Sequence, residues 1–128
     1  MPKSVYDTRF FIEHFYSANL DILSKTKEEI KRTKQRYVSA ITLHEIFRLS
    51  LEKEGKEVAK IRRKTIKQYF KVLNVDGEIA IVGAELRHKH RIPMSDSLIG
   101  ATSLCLEATC ITDDPHFKRI EYVRTRWI

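Results

Sequence analysis

The sequence predicts an α/β fold: a three-layer α/β/α domain built on a parallel sheet of four or five strands. Three observations predict it. Short β-branched runs alternate with stretches of helical spacing along most of the chain, the pattern of parallel strands joined by right-handed crossovers. The 128 residues suit one domain, taken as 1–128, with little room for a second. Apolar residues make up 42%, and only four Gly and three Pro are present, so the chain reads as globular rather than disordered or collagen-like.

The elements follow in order. Ser4-Val5-Tyr6 is a short strand ending at Asp7. Thr8 to Tyr16 is a helix with Phe11, Ile12 and Phe15 on one face. Asn19 or Asp21 caps a second helix running to about Arg36, in which Glu28 and Arg32 pair at helical spacing. Tyr37 to Ile41 is the next strand, and helical spacing resumes at Thr42 with Leu43, Ile46 and Phe47 as its apolar stripe. Gly55 breaks that helix, and a basic helix runs from about Lys56 to Tyr69. Phe70 to Val75 is a β-branched strand, Asp76-Gly77 a turn, and Glu78 to His90 a helix stopped before Pro93. Ser95 or Asp96 caps a helix through Leu106. Ala108 to Thr112 is an apolar strand that ends at Asp113-Asp114, Asp114-Pro115 opens a short helical turn, and Tyr122-Val123 closes the sheet.

Charge and composition narrow the function. Lys and Arg number 24 against 17 Asp and Glu, a net charge of +7 that favours a polyanionic partner, nucleic acid first. Lys53, Lys56, Lys60, Arg62, Arg63, Lys64, Lys67 and Lys71 crowd one segment, and Lys25, Lys27, Lys31, Arg32, Lys34 and Arg36 another. Each segment reads either as a solvated helix face or as a surface that tracks RNA. No stretch approaches the ~20 apolar residues of a membrane span, and no apolar signal region precedes Asp7, so the expected location is cytoplasmic. Cys105 and Cys110 are expected to be reduced core residues.

The acids carry the chemistry. Taken singly, Asp7, Asp96 and Asp114 each read as a helix cap. Together they lie where a parallel sheet opens its ligand crevice, outside the carboxyl ends of the strands. Carboxylates gathered there repel one another unless a cation sits between them, and Mg²⁺ and Mn²⁺ prefer such hard oxygen donors. Glu45, one turn into the helix after the second strand, adds a fourth acid.

These residues carry a family resemblance over nearly the whole chain. Tyr6-Asp7-Thr8-Arg9-Phe10-Phe11-Ile12, Thr42-Leu43-His44-Glu45, Ser95-Asp96-Ser97-Leu98-Ile99-Gly100-Ala101-Thr102 and Ile111-Thr112-Asp113-Asp114-Pro115-His116-Phe117 look like the four motifs of the PIN-domain nucleases, in their order. In size the chain most resembles the VapC-type toxins of type II toxin–antitoxin pairs. The resemblance implies a Mg²⁺- or Mn²⁺-dependent endoribonuclease whose metal is held by Asp7, Glu45, Asp96 and Asp114, with Thr8 and Thr112 orienting the acids. It also implies a small antitoxin protein that binds in a groove beside the acids, and a homodimer to which Phe11 and Phe15 could contribute. Two positions depart from the pattern. Arg9 stands where a small hydroxyl residue is usual, and reads either as a surface arginine or as a contact to the scissile phosphate. Asp113 makes a second acid beside Asp114, and the T-x-D spacing favours Asp114.

Other chemistries fit less well. Of the five histidines, His88 and His90 do not share a helix face, so a zinc site is not expected. No G-x-x-x-x-G-K-[ST] loop is present. Asp7 is followed by Thr8 and Arg9, which excludes the paired acids of an aspartyl-phosphate phosphatase, and the two acids after Thr112 replace the lysine of a receiver domain. A housekeeping RNA-processing nuclease and a non-catalytic RNA- or protein-binding module are the alternatives.

Overall fold

The structure is a computed structural model, and it describes residues 2–128. Along the chain run β1 (Lys3–Tyr6), α1 (Thr8–Tyr16), α2 (Leu20–Arg32), β2 (Gln35–Ser39), α3 (Ala40–Glu54), α4 (Lys56–Tyr69), β3 (Lys71–Leu73), α5 (Gly77–His90), α6 (Met94–Leu106), β4 (Thr109–Ile111), a 3₁₀ turn (Pro115–Arg119) and β5 (Thr125–Arg126). The five strands form one sheet in the order β3-β2-β1-β4-β5. Every pairing is parallel, with Val5 opposite Tyr37 and Cys110. The predicted three-layer α/β/α arrangement is the one observed, and of the four or five parallel strands expected the sheet has five.

Period-two alternation along the strands divides the core between the two faces of the sheet. Tyr6, Val38 and Ile111 point to one side, where Phe10, Phe11, Ile46, Ile66 and Phe70 from α1, α3 and α4 cover them. Val5 and Cys110 point to the other, against Ile99 of α6, Ile92, Phe117 and Ile120. The chain leaves β1 toward β2 on one side and reaches β4 on the other. The carboxyl ends of β1 and β4 therefore flank the point where strand order reverses, and the Asp7 N–H donates to the Ile111 carbonyl there at 3.1 Å.

Several boundaries differ from the sequence reading. The second helix stops at Arg32 rather than Arg36, and β2 begins at Gln35. Arg36 accounts for this: its guanidinium donates to the carbonyls of Ile30 and Thr33, acceptors that a longer helix would have covered, and to that of Tyr69 at the end of α4. The strand expected to reach Ile41 stops at Ser39, whose hydroxyl accepts the Ile41 N–H and opens α3. The strand expected over Phe70–Val75 keeps only Lys71–Leu73, because Phe70 closes α4 and is buried in the core. The edge strand falls at Thr125–Arg126, not Tyr122-Val123, since Tyr122 takes a left-handed φ of 70°. Gly55, at φ 91°, makes the turn between α3 and α4 that a side chain would resist.

Cys110 is buried as expected, but Cys105 is exposed, on the outward face of α6. Phe11 is fully buried, so it is a core residue and not available to a subunit interface. Among the described residues no helix is long and apolar enough to cross a membrane.

A buried ion pair ties the edge strand to α2. Glu29, 1% exposed, accepts from Arg126 Nη1 and Nη2 at 2.7 and 2.8 Å, and from the hydroxyls of Tyr6 and Thr33 at 2.6 Å each. Burial alone would raise the Glu29 carboxyl, but these donors overcome it and hold it at about 2.

Candidate active site

Asp7 leaves the end of β1 and caps α1, accepting the Thr8 N–H at 2.7 Å through Oδ1. Its other oxygen accepts the Thr112 hydroxyl at 2.7 Å, from the residue just past β4. The same Thr112 oxygen accepts the Asp114 N–H at 3.0 Å. One threonine thus links the two strand ends and fixes the spacing between Asp7 and Asp114. Asp114 also caps the 3₁₀ turn, taking the His116 N–H at 2.9 Å. For both acids the reading as a helix cap is observed, with one carboxylate oxygen of each accepting the capping N–H.

Asp96 is not a cap. The helix starts two or three residues earlier than a Ser95 or Asp96 cap would place it, at Met94, and the preceding Pro93 makes no side-chain cap. Asp96 therefore sits in the first turn of α6, where the positive end of the helix favours an anion. Its carboxylate meets His116 Nδ1 at 2.8 Å, and His116 Nδ1 lies 3.3 Å from Asp114 Oδ1. Asp96, Asp114 and His116 form a group whose ligand atoms all lie within 4.8 Å of one another. Glu45 approaches from α3. Its Oε1 accepts the Thr8 hydroxyl at 2.5 Å, with the Thr42 hydroxyl 3.2 Å from that of Thr8.

The four predicted acids therefore share one crevice in two ranks. Asp96 and Asp114 stand within ligand distance of each other, and Asp7 and Glu45 are held alongside by the hydroxyls of Thr112 and Thr8. Thr112 and Thr8, the two threonines singled out in the sequence, donate to Asp7 and Glu45 respectively. The electrostatics bind the set together. Burial, then the charges of Asp96 and Asp114, lift the Asp7 carboxyl to about 6 against the pull of its two hydrogen bonds. Burial also raises Asp96, with the Asp114 and Glu45 charges adding to it and His116 opposing it. Asp7 is 3% exposed and has no cationic side chain against it. A crowded, partly dry set of oxygen donors that resists carrying its own charge fits a hard divalent cation.

The two departures in the motifs meet each other in space. Arg9 Nε donates to Asp113 Oδ1 at 3.1 Å, and Arg9 Nη2 to Glu13 at 2.9 Å. Asp113 is exposed and occupied by Arg9, while Asp114 faces the other acids, as the T-x-D spacing favoured. His116 was missed among the site residues. Its signal was present, a histidine two positions after the last acid, which a one-turn cap carries back beside that acid.

The basic segments divide. Arg62 is taken by the fold, paired with Glu54 at 2.9 Å and lying over the rings of Phe15 and Tyr16. Arg36 is likewise spent on carbonyls. Lys60, Arg63, Lys64 and Lys67 remain exposed and line one shallow hollow along α4.

The PIN domain family matches residues 4–122. Comparison with curated proteins finds no match. Among solved structures, the DNA-bound VapBC of Salmonella typhimurium is similar at a TM-score of 0.81 and 19% identity, covering 99% of this chain and 98% of that one. VapBC2 of Rickettsia felis, bound to a promoter DNA fragment, is similar at 0.80 and 17% identity, with 98% of both chains covered. VapC20 of Mycobacterium tuberculosis, described as a sarcin-ricin loop cleaving toxin, is similar at 0.79 and 15% identity, covering 97% of this chain and 99% of that one. At such identities these likenesses speak to the fold, while the family match spans all four acidic positions. On that match, and with those acids in one crevice, this chain belongs to the PIN domain family.

Proposed function

We propose that this chain, as one domain over residues 1–128, is a metal-dependent endoribonuclease that hydrolyses RNA phosphodiester bonds and acts as the toxin of a type II toxin–antitoxin pair. The observation that carries the reading is the convergence of Asp7, Glu45, Asp96 and Asp114 at the strand-order reversal, where burial and mutual repulsion raise Asp7 and Asp96. Mg²⁺ or Mn²⁺ would be held by Asp96 and Asp114, with Asp7 and Glu45 completing the set. A cation bound there supplies Lewis acidity toward the phosphate and activates water.

The chain's own residues do the rest. Thr112 locks Asp7 in one orientation, so that its carboxylate would face the cation that offsets the phosphate's charge. Thr8 holds Glu45 by Oε1 and leaves Oε2 to accept a proton from the attacking water. The water oxygen bonds to phosphorus as the bond to the leaving ribose oxygen breaks, and that oxygen takes a proton from solvent to leave as a hydroxyl. Lys60, Arg63, Lys64 and Lys67 take the RNA backbone by phosphate contacts, so binding weakens steeply with salt. A single strand or loop suits a crevice of this kind better than a duplex.

The similar structures support the biological role. Several are toxin–antitoxin complexes, which supports a small antitoxin as this chain's partner. VapC20 is described as cleaving the sarcin-ricin loop, which supports RNA as the substrate. A cytoplasmic homodimer belongs to the same proposal.

The test is cleavage of a panel of single-stranded RNAs and a sarcin-ricin hairpin by purified protein, with Mg²⁺, Mn²⁺ or EDTA, beside Asp96→Asn. Metal-dependent cleavage that vanishes in the variant is the expected result. RNA binding without cleavage under every condition replaces the enzyme with a binding module. Cleavage confined to a precursor RNA, with no growth arrest on expression, replaces the toxin with a processing enzyme.

A further inference from the structure

The acids at the crevice do not stand alone: a nitrogen stands among them. His116 Nδ1 lies 2.8 Å from Asp96 Oδ2 and 3.3 Å from Asp114 Oδ1. Around an octahedral ion with bonds of about 2.1 Å, adjacent ligand atoms stand about 3 Å apart. The two observed distances bracket that edge, and all three ligand atoms lie within 4.8 Å of one another.

The placement of His116 follows from rigid parts. Asp114 holds the His116 N–H at 2.9 Å, Pro115 fixes the first step of the turn, and Phe117 next in sequence is fully buried against the sheet. The imidazole is therefore carried to the acids by a capped, anchored turn rather than by a free loop. Only one of its nitrogens faces them. Here Nδ1 is hydrogen-bonded to Asp96; with an ion in place of the shared proton and the ring proton on Nε2, its lone pair would point at the space that Asp96 and Asp114 share.

We propose that His116 is a ligand of the ion held by this site, and that its nitrogen makes the site prefer a first-row transition ion over Mg²⁺. The inference rests on the reading of the acids as a metal site. An all-carboxylate set suits Mg²⁺, which is hard and gives up its waters reluctantly. Imidazole is a softer donor that favours transition ions, and exchanging one oxygen for nitrogen tilts the choice toward them. The sequence reading set histidine ligation aside on the spacing of His88 and His90, whereas the fold delivers His116 instead.

Mn²⁺ is the probe, because its unpaired electrons report the nuclei bound to it. Full-length protein carrying ¹⁵N-histidine is titrated with Mn²⁺ and read by pulsed electron paramagnetic resonance, beside His116→Gln. Wild type is expected to show histidine-nitrogen coupling to bound Mn²⁺, and His116→Gln to lose it. By calorimetry the variant binds Mn²⁺ about tenfold more weakly while its Mg²⁺ affinity changes by less than about twofold. Because the coupling is read on wild type, a variant that folds poorly does not decide the matter. Mn²⁺ bound without histidine coupling, or coupling that survives in His116→Gln, overturns the proposal and leaves the acidic metal site standing. If Mn²⁺ stays fully hydrated in solution, the metal site and this proposal fall together.

Discussion

Asp7→Asn should stabilise the protein in EDTA at pH 7 while abolishing its activity. The Asp7 carboxyl rises from its ordinary 3.8 to about 6 in the fold, mostly through burial. That rise corresponds to roughly 3 kcal/mol by which the charged form opposes folding at neutral pH. Asparagine removes the charge and keeps an oxygen for the Thr8 N–H. Its amide meets the Thr112 hydroxyl poorly, because that oxygen already accepts from the Asp114 N–H, and one lost hydrogen bond costs about 1 kcal/mol. The net gain is roughly 2 kcal/mol, or a Tm increase of roughly 6–10 °C for a chain of this size.

The sign with pH follows from the direction of the shift. An acid raised by folding favours the folded state when protonated. Its penalty is absent below about pH 4, grows as pH rises from 3.8 to about 6, and is complete above that. The gap between variant and wild type should therefore open over that window in urea titrations with EDTA. With Mg²⁺ at about 100 times its Kd, wild type gains roughly 2.7 kcal/mol that the variant forgoes, and the order reverses. A variant less stable than wild type at pH 7 in EDTA, or a gap that ignores pH, would refute the assignment of Asp7 as a buried charge without a cationic partner.

The remaining predictions concern neighbouring residues. Asp114→Asn should lower RNA cleavage about 100-fold or more, whereas Asp113→Asn, which loses only a half-exposed pair with Arg9, should stay within about fivefold; equal losses in steady-state assays would undo the choice between the two acids. Thr112→Val should lower kcat about tenfold with little change in KM, since it frees Asp7 without touching RNA. Arg126→Met should cost about 1–3 kcal/mol in urea denaturation, because buried Glu29 loses its two-pronged partner but keeps the hydroxyls of Tyr6 and Thr33 and Arg32 at 3.4 Å. Glu29 is depressed by folding, so its contribution is present above 4.5 and is lost as pH falls toward about 2; the acid limb of wild type should flatten in Arg126→Met.

Element types and order were readable because each rests on local periodicity, and the five parallel strands follow from their alternation with helices. Boundaries depended on side chains that act at a distance. Nothing local says that Arg36 will cap the end of α2 and so begin a strand two residues earlier than Tyr37. The acids were legible as candidates because Asp7 and Asp114 follow strands, Asp96 lies at the start of a helix and Glu45 one turn into another. Their ranking was not, since it depends on which hydroxyl reaches which carboxylate across 105 and 37 residues of sequence. The Arg9–Asp113 pair spans 104 residues, and each half looked like a departure from the pattern until the other was placed beside it. Cys105 was misplaced because an apolar stretch of sequence does not say which side of a helix meets the sheet.

Two buried acids, Glu29 of α2 bonded by the last residue of β1 and Asp7 just past that strand, are handled in opposite ways, and the contrast argues for the site. Tyr6 turns to the face where Glu29 lies, and that carboxylate is matched by a two-pronged arginine and two hydroxyls until it sits at about 2. Asp7, one residue on, receives a threonine hydroxyl and a backbone N–H, and the acids beside it push it up to about 6. The protein has arginines within reach of the crevice and holds them elsewhere. Arg126 gives its guanidinium to Glu29 and only its backbone carbonyl to Thr112, the residue that positions Asp7. Arg9, two residues from Asp7, is drawn away by Glu13 and Asp113. A fold selected for stability alone gains by pairing a buried charge and loses by crowding it with like charges. A carboxylate set that is rigidly braced, yet denied the chain's own strong cations, is arranged for a cation from outside.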